Sequence, residues 1–158
     1  MDAFARLKTD VRGGLRQLEG MRLTGEIPVR EGVINDVLAH HAGSRGVMVH
    51  IEEANHLIVR KGLWHATATL DQTVNTEGTP RISVRLASAL IAWTLARIVR
   101  LPYLTIDGRF VTIDLGRVPA LRAWEPALRQ VRRATLTTTR GVLHARFEWW
   151  VAPGEPRE

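Results

Sequence analysis

Apolar positions along the chain alternate between spacings of three or four residues and spacings of two, which predicts helices interleaved with strands. Phe4, Leu7, Val11, Leu15 and Leu18 fall on one helical stripe, and Lys8, Arg12 and Arg16, four residues apart, form a basic row beside it, with Arg6 on the far side. Gly13-Gly14 weakens this helix in its middle, each glycine costing about 1 kcal/mol against alanine. Leu23 to Ile27 predicts a short strand. Pro28 then suits the first turn of a helix, where its missing N–H would be unpaired anyway. Val29, Val33, Ile34, Val37 and Leu38 supply the apolar stripe of that helix, which runs to about His41 and stops at Ala42-Gly43-Ser44. Val47, Val49 and Ile51 alternate with Met48, His50 and Glu52 in a strand; Glu53 to His56 turns the chain and Leu57 to Arg60 returns.

Two half-buried strands follow. Trp64, Ala66, Ala68 and Leu70 share one face of the first, and Ile82, Val84 and Leu86 share one face of the second, across a polar loop from Asp71 to Thr79. From about Ser88 to Val99, Leu90, Ile91, Trp93, Leu95, Ile98 and Val99 leave almost no polar face, which marks a buried helix or one that lines an apolar cavity. Leu104 to Ile106, an Asp107-Gly108 turn and Phe110 to Leu115 predict a hairpin. After Pro119, Leu121, Trp124, Leu128 and Val131 keep helical spacing and read as core; a strand from Ala134 to Thr139, a turn at Arg140-Gly141 and a strand with Leu143, Ala145, Phe147, Trp149 and Val151 on one face complete the pattern.

The chain therefore reads as about three helix-plus-hairpin units with an extra strand pair between the first and second. Residue identity between units is slight, the Val29-Arg30 and Val84-Arg85 pairs being the clearest echo, so this is an architectural repeat and not a duplication. Sequential hairpins imply an antiparallel sheet, and the helices must cover a face of it, giving an α+β fold. The expected organisation is a basic amphipathic segment over residues 1–24, one domain over 25–151 and a disordered tail over 152–158.

Composition narrows the function more than the fold. The 158 residues, 45% hydrophobic and 24% charged, are enough for one domain with a real core. The absence of cysteine removes disulfides, thiolate nucleophiles and Cys-ligated zinc together. Met1 to Leu23 carries charges throughout, and the stretch from Leu86 to Leu95 is too short to span a bilayer, so a cytoplasmic location is expected. The net charge is +6, carried by arginines apart from Lys8 and Lys61, which favours anionic partners. Because the arginines are spread along the chain and form no blocks, an ordinary solvated basic surface is expected in preference to a dedicated anion patch.

Candidate chemistry is sparse. His40-His41 are neighbours on a helix, so their side chains diverge by about 100° and suit capping or the surface better than one metal ion. His50, His56 and His65, with Glu52 beside His50, are conceivable zinc ligands across strands, but nothing local fixes that geometry, and exposed strand histidines are the reading taken here. Gly43-Ser44-Arg45-Gly46 precedes a strand instead of ending one and is no nucleophile elbow. Glu52-Glu53, Asp107, Asp114 and Glu148 read as solvated acids, with no acid/base pair indicated. Arg146, Trp149 and Trp150, with Thr135 to Thr139, are the candidate stacking and phosphate contacts for nucleic acid. The expectation is a non-enzymatic protein without catalytic residues, metal or cofactor.

The helix centred on Val33, Ile34, Asn35, Val37 and Leu38, the following short strand, the segment NHLIV (Asn55 to Val59) and the segment LTIDGRFVTIDLGRVPAL (Leu104 to Leu121) together resemble the tubular lipid-binding superfamily, which includes the bactericidal/permeability-increasing protein. The resemblance is one of element order and hydrophobicity and covers most of Gly25 to Val151. It implies a strongly curved antiparallel sheet that wraps a helix, with acyl chains in the apolar groove between them and no catalytic residue. The fold expected is then a curved antiparallel sheet of sequential hairpins covered by three main helices.

On that reading the protein binds lipid or another hydrophobic ligand. Leu90, Trp93, Leu95 and Ile98 would form one wall of the groove, facing Trp64, Ala66, Ala68 and Ile113, while Lys8, Arg12 and Arg16 would meet an anionic membrane surface. The alternatives are a nucleic-acid-binding accessory module, or a structural subunit whose apolar helix packs in a homo-oligomer.

Overall fold

The computed structural model describes residues 20–40, 44–99 and 101–151, apart from the side chain of Ile98. The basic segment with Lys8, Arg12 and Arg16 and the tail at 152–158 lie outside the described residues. The strands are β1 (Arg22–Arg30), β2 (Val47–Ile51), β3 (His56–Lys61), β4 (Trp64–Leu70), β5 (Arg81–Leu86), β6 (Leu104–Asp107), β7 (Phe110–Asp114), β8 (Val131–Thr139) and β9 (Val142–Trp150). The helices are α1 (Glu31–His40), α2 (Ala89–Ile98) and the single turn α3 (Glu125–Leu128), which follows two 3-10 turns at Leu115–Arg117 and Pro119–Trp124.

The fold is α+β with antiparallel sheet, as the hairpin pattern predicts, and the sheet is open and curved. The strands divide into two sheets, one ordered β1-β9-β8 and one ordered β2-β3-β4-β5-β7-β6. Alternation decides the faces. Ala68 and Leu70 of β4, Val84 and Leu86 of β5 and Val111 of β7 point to a common core, which α2 closes with Ala92, Leu95 and Val99; Ala66 is buried on the same face of β4. Leu136 of β8 joins the same cluster, so both sheets share one core. Ser88 caps α2 by accepting from the Ile91 N–H, which stops the chain's extended run after β5.

Four sequence expectations need correction. Pro28 does not open a helix: it lies inside β1, opposite His144. β1 is an edge strand of its sheet, and an edge tolerates proline because the missing N–H need not join a ladder. The helix starts later, at Glu31, and Val33 and Val37 of its expected apolar stripe are exposed, leaving Leu38 to pack against the core. The run from Leu121 to Val131 is not one helix. Pro126 lies in the first turn of α3 and cannot continue a preceding helix, so the chain passes through 3-10 turns, Trp124 is only half-buried and Val131 opens β8 instead. The β6–β7 turn sits one residue later than expected: Asp107 pairs with Phe110, so Gly108 and Arg109 are its central residues, with Gly108 at φ +56°.

α1 does not lie flat on a sheet face but runs along the free edge of β2. Asn35 exchanges two hydrogen bonds with Val49, its Oδ1 accepting from the Val49 N–H at 2.7 Å and its Nδ2 donating to the Val49 carbonyl at 3.0 Å. The Glu31 carboxylate accepts from the Ile51 N–H at 2.7 Å. Four helical residues rise about 6 Å and two strand residues about 6.7 Å, so side chains at i and i+4 match backbone groups at i and i+2. Helical side chains thus cover a strand edge that would otherwise invite another chain.

A comparable stitch joins the two sheets. Residues 72–74 pair with β8 through the Val74 N–H to the Ala134 carbonyl and the Leu136 N–H to the Gln72 carbonyl. Asn55, in the β2–β3 turn at φ 63°, reaches both sides of that seam. Its Nδ2 donates to the carbonyls of Leu70 and Leu136, and its Oδ1 accepts from the Thr138 N–H.

Candidate functional site

The helix α2 has two contrasting faces. Leu95 is 6% exposed, with Ala92 and Val99 buried beside it, whereas Leu90 is 71% and Trp93 55% exposed. One helical turn beyond Trp93, Arg97 lays its guanidinium 4.0 Å from the centroid of the indole ring. This is a cation on an aromatic face, worth about 0.5–1 kcal/mol at an exposed position. The result is an apolar surface with a fixed positive charge at one end.

The residues expected to wall a ligand groove are therefore split between surface and core. Leu90 and Trp93 are together on the open face of α2. Leu95 packs with Ala68 in the core, where Ala66 is also buried and Trp64 packs at the margin; Ile113 is half-buried on β7 opposite Ile82. The Ile98 side chain lies outside the described residues. The eight residues thus do not form one wall: of those described, Leu90 and Trp93 are exposed and the others are buried or half-buried.

On the other face of the six-stranded sheet, His56, Thr67, Thr69, Arg85 and Arg109 line a depression of about 240 Å³, with Ala68, Leu86 and Ala87 in its floor and rim. The register explains their convergence. His56 of β3 is opposite Thr69 of β4, and Thr69 is opposite Arg85 of β5, so the three side chains form a row across neighbouring strands. The Leu86 N–H donates to the Arg109 carbonyl at 2.8 Å, which holds the β6–β7 turn against the end of β5. Neither arginine meets a carboxylate within salt-bridge distance among the described residues. By contrast Arg81 and Arg117 reach Asp114, Arg129 reaches Glu125 and Arg146 reaches Glu26.

The histidines once considered as metal ligands are dispersed. His50 Nδ1 lies 3.1 Å from Glu31, not at Glu52; His56 stands in the depression; His65 is opposite Arg60. No group of three potential metal-ligating side chains converges among the described residues. Sequence reasoning did not single out a second polar cluster, on the three-stranded sheet. His144 Nδ1 is 3.1 Å from Glu26 and its Nε2 is 3.0 Å from the Thr139 hydroxyl, while Arg146 donates to the other Glu26 oxygen at 2.9 Å. The hydrogen bonds from Arg146 and then His144 hold the Glu26 carboxyl below its ordinary range. Acid, imidazole and hydroxyl follow the order of a nucleophilic triad, but here they tie three adjacent strands together side by side.

Of the candidate nucleic-acid contacts, Trp150 is exposed at 40%, with Arg22 and Arg132 5.9 and 5.4 Å from its ring centroid. Trp149 turns inward instead, its ring 4.2 Å from that of Phe147, and Arg146 is committed to Glu26. No helix among the described residues is long and apolar enough to cross a membrane. Compared with known protein families, curated proteins and solved structures, the chain finds no match in any of the three.

Proposed function

We propose that this protein is a non-catalytic binder of lipid or a similar amphiphile, and that the exposed face of α2 is where the apolar part of that ligand lies. The observation that carries the reading is the pairing of Leu90 and Trp93 in solvent with Arg97 stacked on the indole. A large apolar surface ending in a cation complements a molecule with an acyl chain and an anionic head. The net charge of +6 adds a general attraction to anionic lipid surfaces. Burying an exposed leucine or tryptophan contributes about 1.5–3 kcal/mol, so two such anchors supply a useful part of micromolar affinity, about 8 kcal/mol.

The test is binding of a fluorescent acyl probe, alongside native mass spectrometry of protein purified without detergent. Leu90→Ser and Trp93→Ser should each weaken the probe about tenfold, the equivalent of about 1.4 kcal/mol, with far-UV circular dichroism unchanged. A folded wild type that binds neither probe nor co-purifying lipid refutes the reading.

Trp150 between Arg22 and Arg132 favours a second reading, single-stranded nucleic acid stacked on the three-stranded sheet. Binding of an oligonucleotide that falls steeply with salt and is lost in Trp150→Ala would establish it. A homo-oligomer formed through α2 would instead show as a concentration-dependent mass without either ligand.

A further inference from the structure

We propose that the depression lined by His56, Arg85 and Arg109 is a binding site for a terminal phosphate group, free in solution or carried by a lipid head; the lipid source rests on the function proposed above. Two arginines line one concavity and neither has a carboxylate within salt-bridge distance among the described residues, although four other arginines of the same domain have one. Like charges brought together without a counter-ion repel, and an anion between them reverses the sign of that interaction. Arginine presents a planar fork of N–H donors that fits two phosphate oxygens at once.

The remaining lining suits the same ligand. The side chains of His56, Thr69 and Arg85 stand on strands about 4.8 Å apart, a span of roughly 10 Å that a phosphate and its bridging donors can fill. Thr67 and Thr69 add hydroxyl donors, and Ala87 is too short to block the site. The volume of about 240 Å³ is many times the roughly 10–15 Å³ that holds one water molecule on the same measure. The depression and α2 are neighbours along the chain but belong to opposite faces of the sheet. Ala87 lines the depression and the exposed Leu90 follows three residues later, at most about 10 Å of extended chain away. Two arginines without a carboxylate match the nearly double charge of a terminal phosphate better than the single charge of each diester in nucleic acid.

The experiment uses the full chain with vesicles of phosphatidylcholine alone and of phosphatidylcholine doped with phosphatidic acid, followed by co-sedimentation, and a parallel titration with inorganic phosphate followed by amide NMR. Doped vesicles should bind about tenfold more tightly. Arg85→Gln and Arg109→Gln should each abolish most of that preference while leaving binding to phosphatidylcholine, whose head is a phosphodiester with no terminal phosphate, unchanged. Leu90→Ser should weaken binding to both vesicles alike. Arg60→Gln, which removes the same charge from the same sheet face outside the depression, should keep the preference.

If Arg60→Gln loses the preference as fully as Arg85→Gln does, or if doped vesicles bind no better than plain ones, the head-group site is overturned while the α2 reading stands. If the wild type binds neither vesicle, the amphiphile reading fails, and the phosphate titration judges the site alone. Shifts confined to the amides around Thr67, Arg85 and Arg109, and lost in Arg85→Gln, would retain it as a site for free phosphate; no such shifts would overturn it. Tight, salt-sensitive binding of single-stranded RNA that needs both arginines would overturn it in favour of nucleic acid.

Discussion

Replacing Asn55 with alanine tests the seam between the two sheets. The side chain makes three hydrogen bonds, donating to the carbonyls of Leu70 and Leu136 at 3.2 and 3.0 Å and accepting from the Thr138 N–H at 2.9 Å. Truncation leaves those three backbone groups without their partner, at about 1 kcal/mol each and about 3 kcal/mol together. A further term of about 1 kcal/mol comes from the backbone, because φ 63° is a left-handed conformation that asparagine adopts more readily than alanine. The expected loss is thus about 4 kcal/mol out of a total stability of roughly 5–15 kcal/mol for a domain of this kind. Asn55→Gly removes the same bonds without the backbone penalty and should cost about 1 kcal/mol less than alanine. Asn55→Asp keeps the acceptor but aims negative charge at two carbonyl oxygens, and should be at least as damaging as alanine. Equilibrium urea unfolding, read by tryptophan fluorescence, gives the three differences, and hydrogen exchange at the Thr138 amide reports whether the seam itself has loosened. A loss below about 1 kcal/mol for Asn55→Ala, or equal losses for glycine and alanine, would refute the reasoning.

Three further outcomes are expected. The Glu26 carboxyl, held down by Arg146 and His144, should titrate below its ordinary value of 4.5. The linked stability is present above that pH and is lost as pH falls through the depressed value, so an NMR midpoint at or above 4.5 would contradict it. Gly116→Ala should destabilise by about 1–3 kcal/mol, because a Cβ there collides with Thr79, whose hydroxyl is held 2.8 Å from Asp114; an unchanged melting temperature would refute this. On α2, Leu95→Ala should cost about 2–5 kcal/mol and Trp93→Ala about 1 kcal/mol or less, and the reverse order in denaturant unfolding would exchange the two faces.

What the sequence disclosed was local. Val47 to Ile51, Trp64 to Leu70 and Ile82 to Leu86 carry a period of two that the strands obey, and Ser88 ahead of an apolar run marks the start of α2. What it concealed depends on partners far along the chain. Pro28 satisfies the local rule for a helix start equally well as the rule for an edge strand, and the choice is made by β9, more than a hundred residues later. Leu121, Trp124 and Leu128 have helical spacing, yet Pro126 between them was the local warning that one helix could not run through.

The candidate site was concealed for a different reason. A helix that is apolar nearly all round has no internal mark of which side meets the core, because periodicity identifies faces only by contrast with polar positions. Ala92, Leu95 and Val99 face inward because the sheet's Ala68, Val84 and Leu86 are there to receive them, and Leu90 and Trp93 are left outside by the same geometry. Likewise His56, Thr69, Arg85 and Arg109 span more than fifty residues and share no motif; only the strand register puts them side by side. Asn35 and Asn55, to which the sequence alone assigns no structural role of their own, close a strand edge and an inter-sheet seam for the same reason. A polar side chain's role here is set by the backbone groups opposite it, so the signal that would have found these residues is the strand pairing and not their own neighbourhood in sequence.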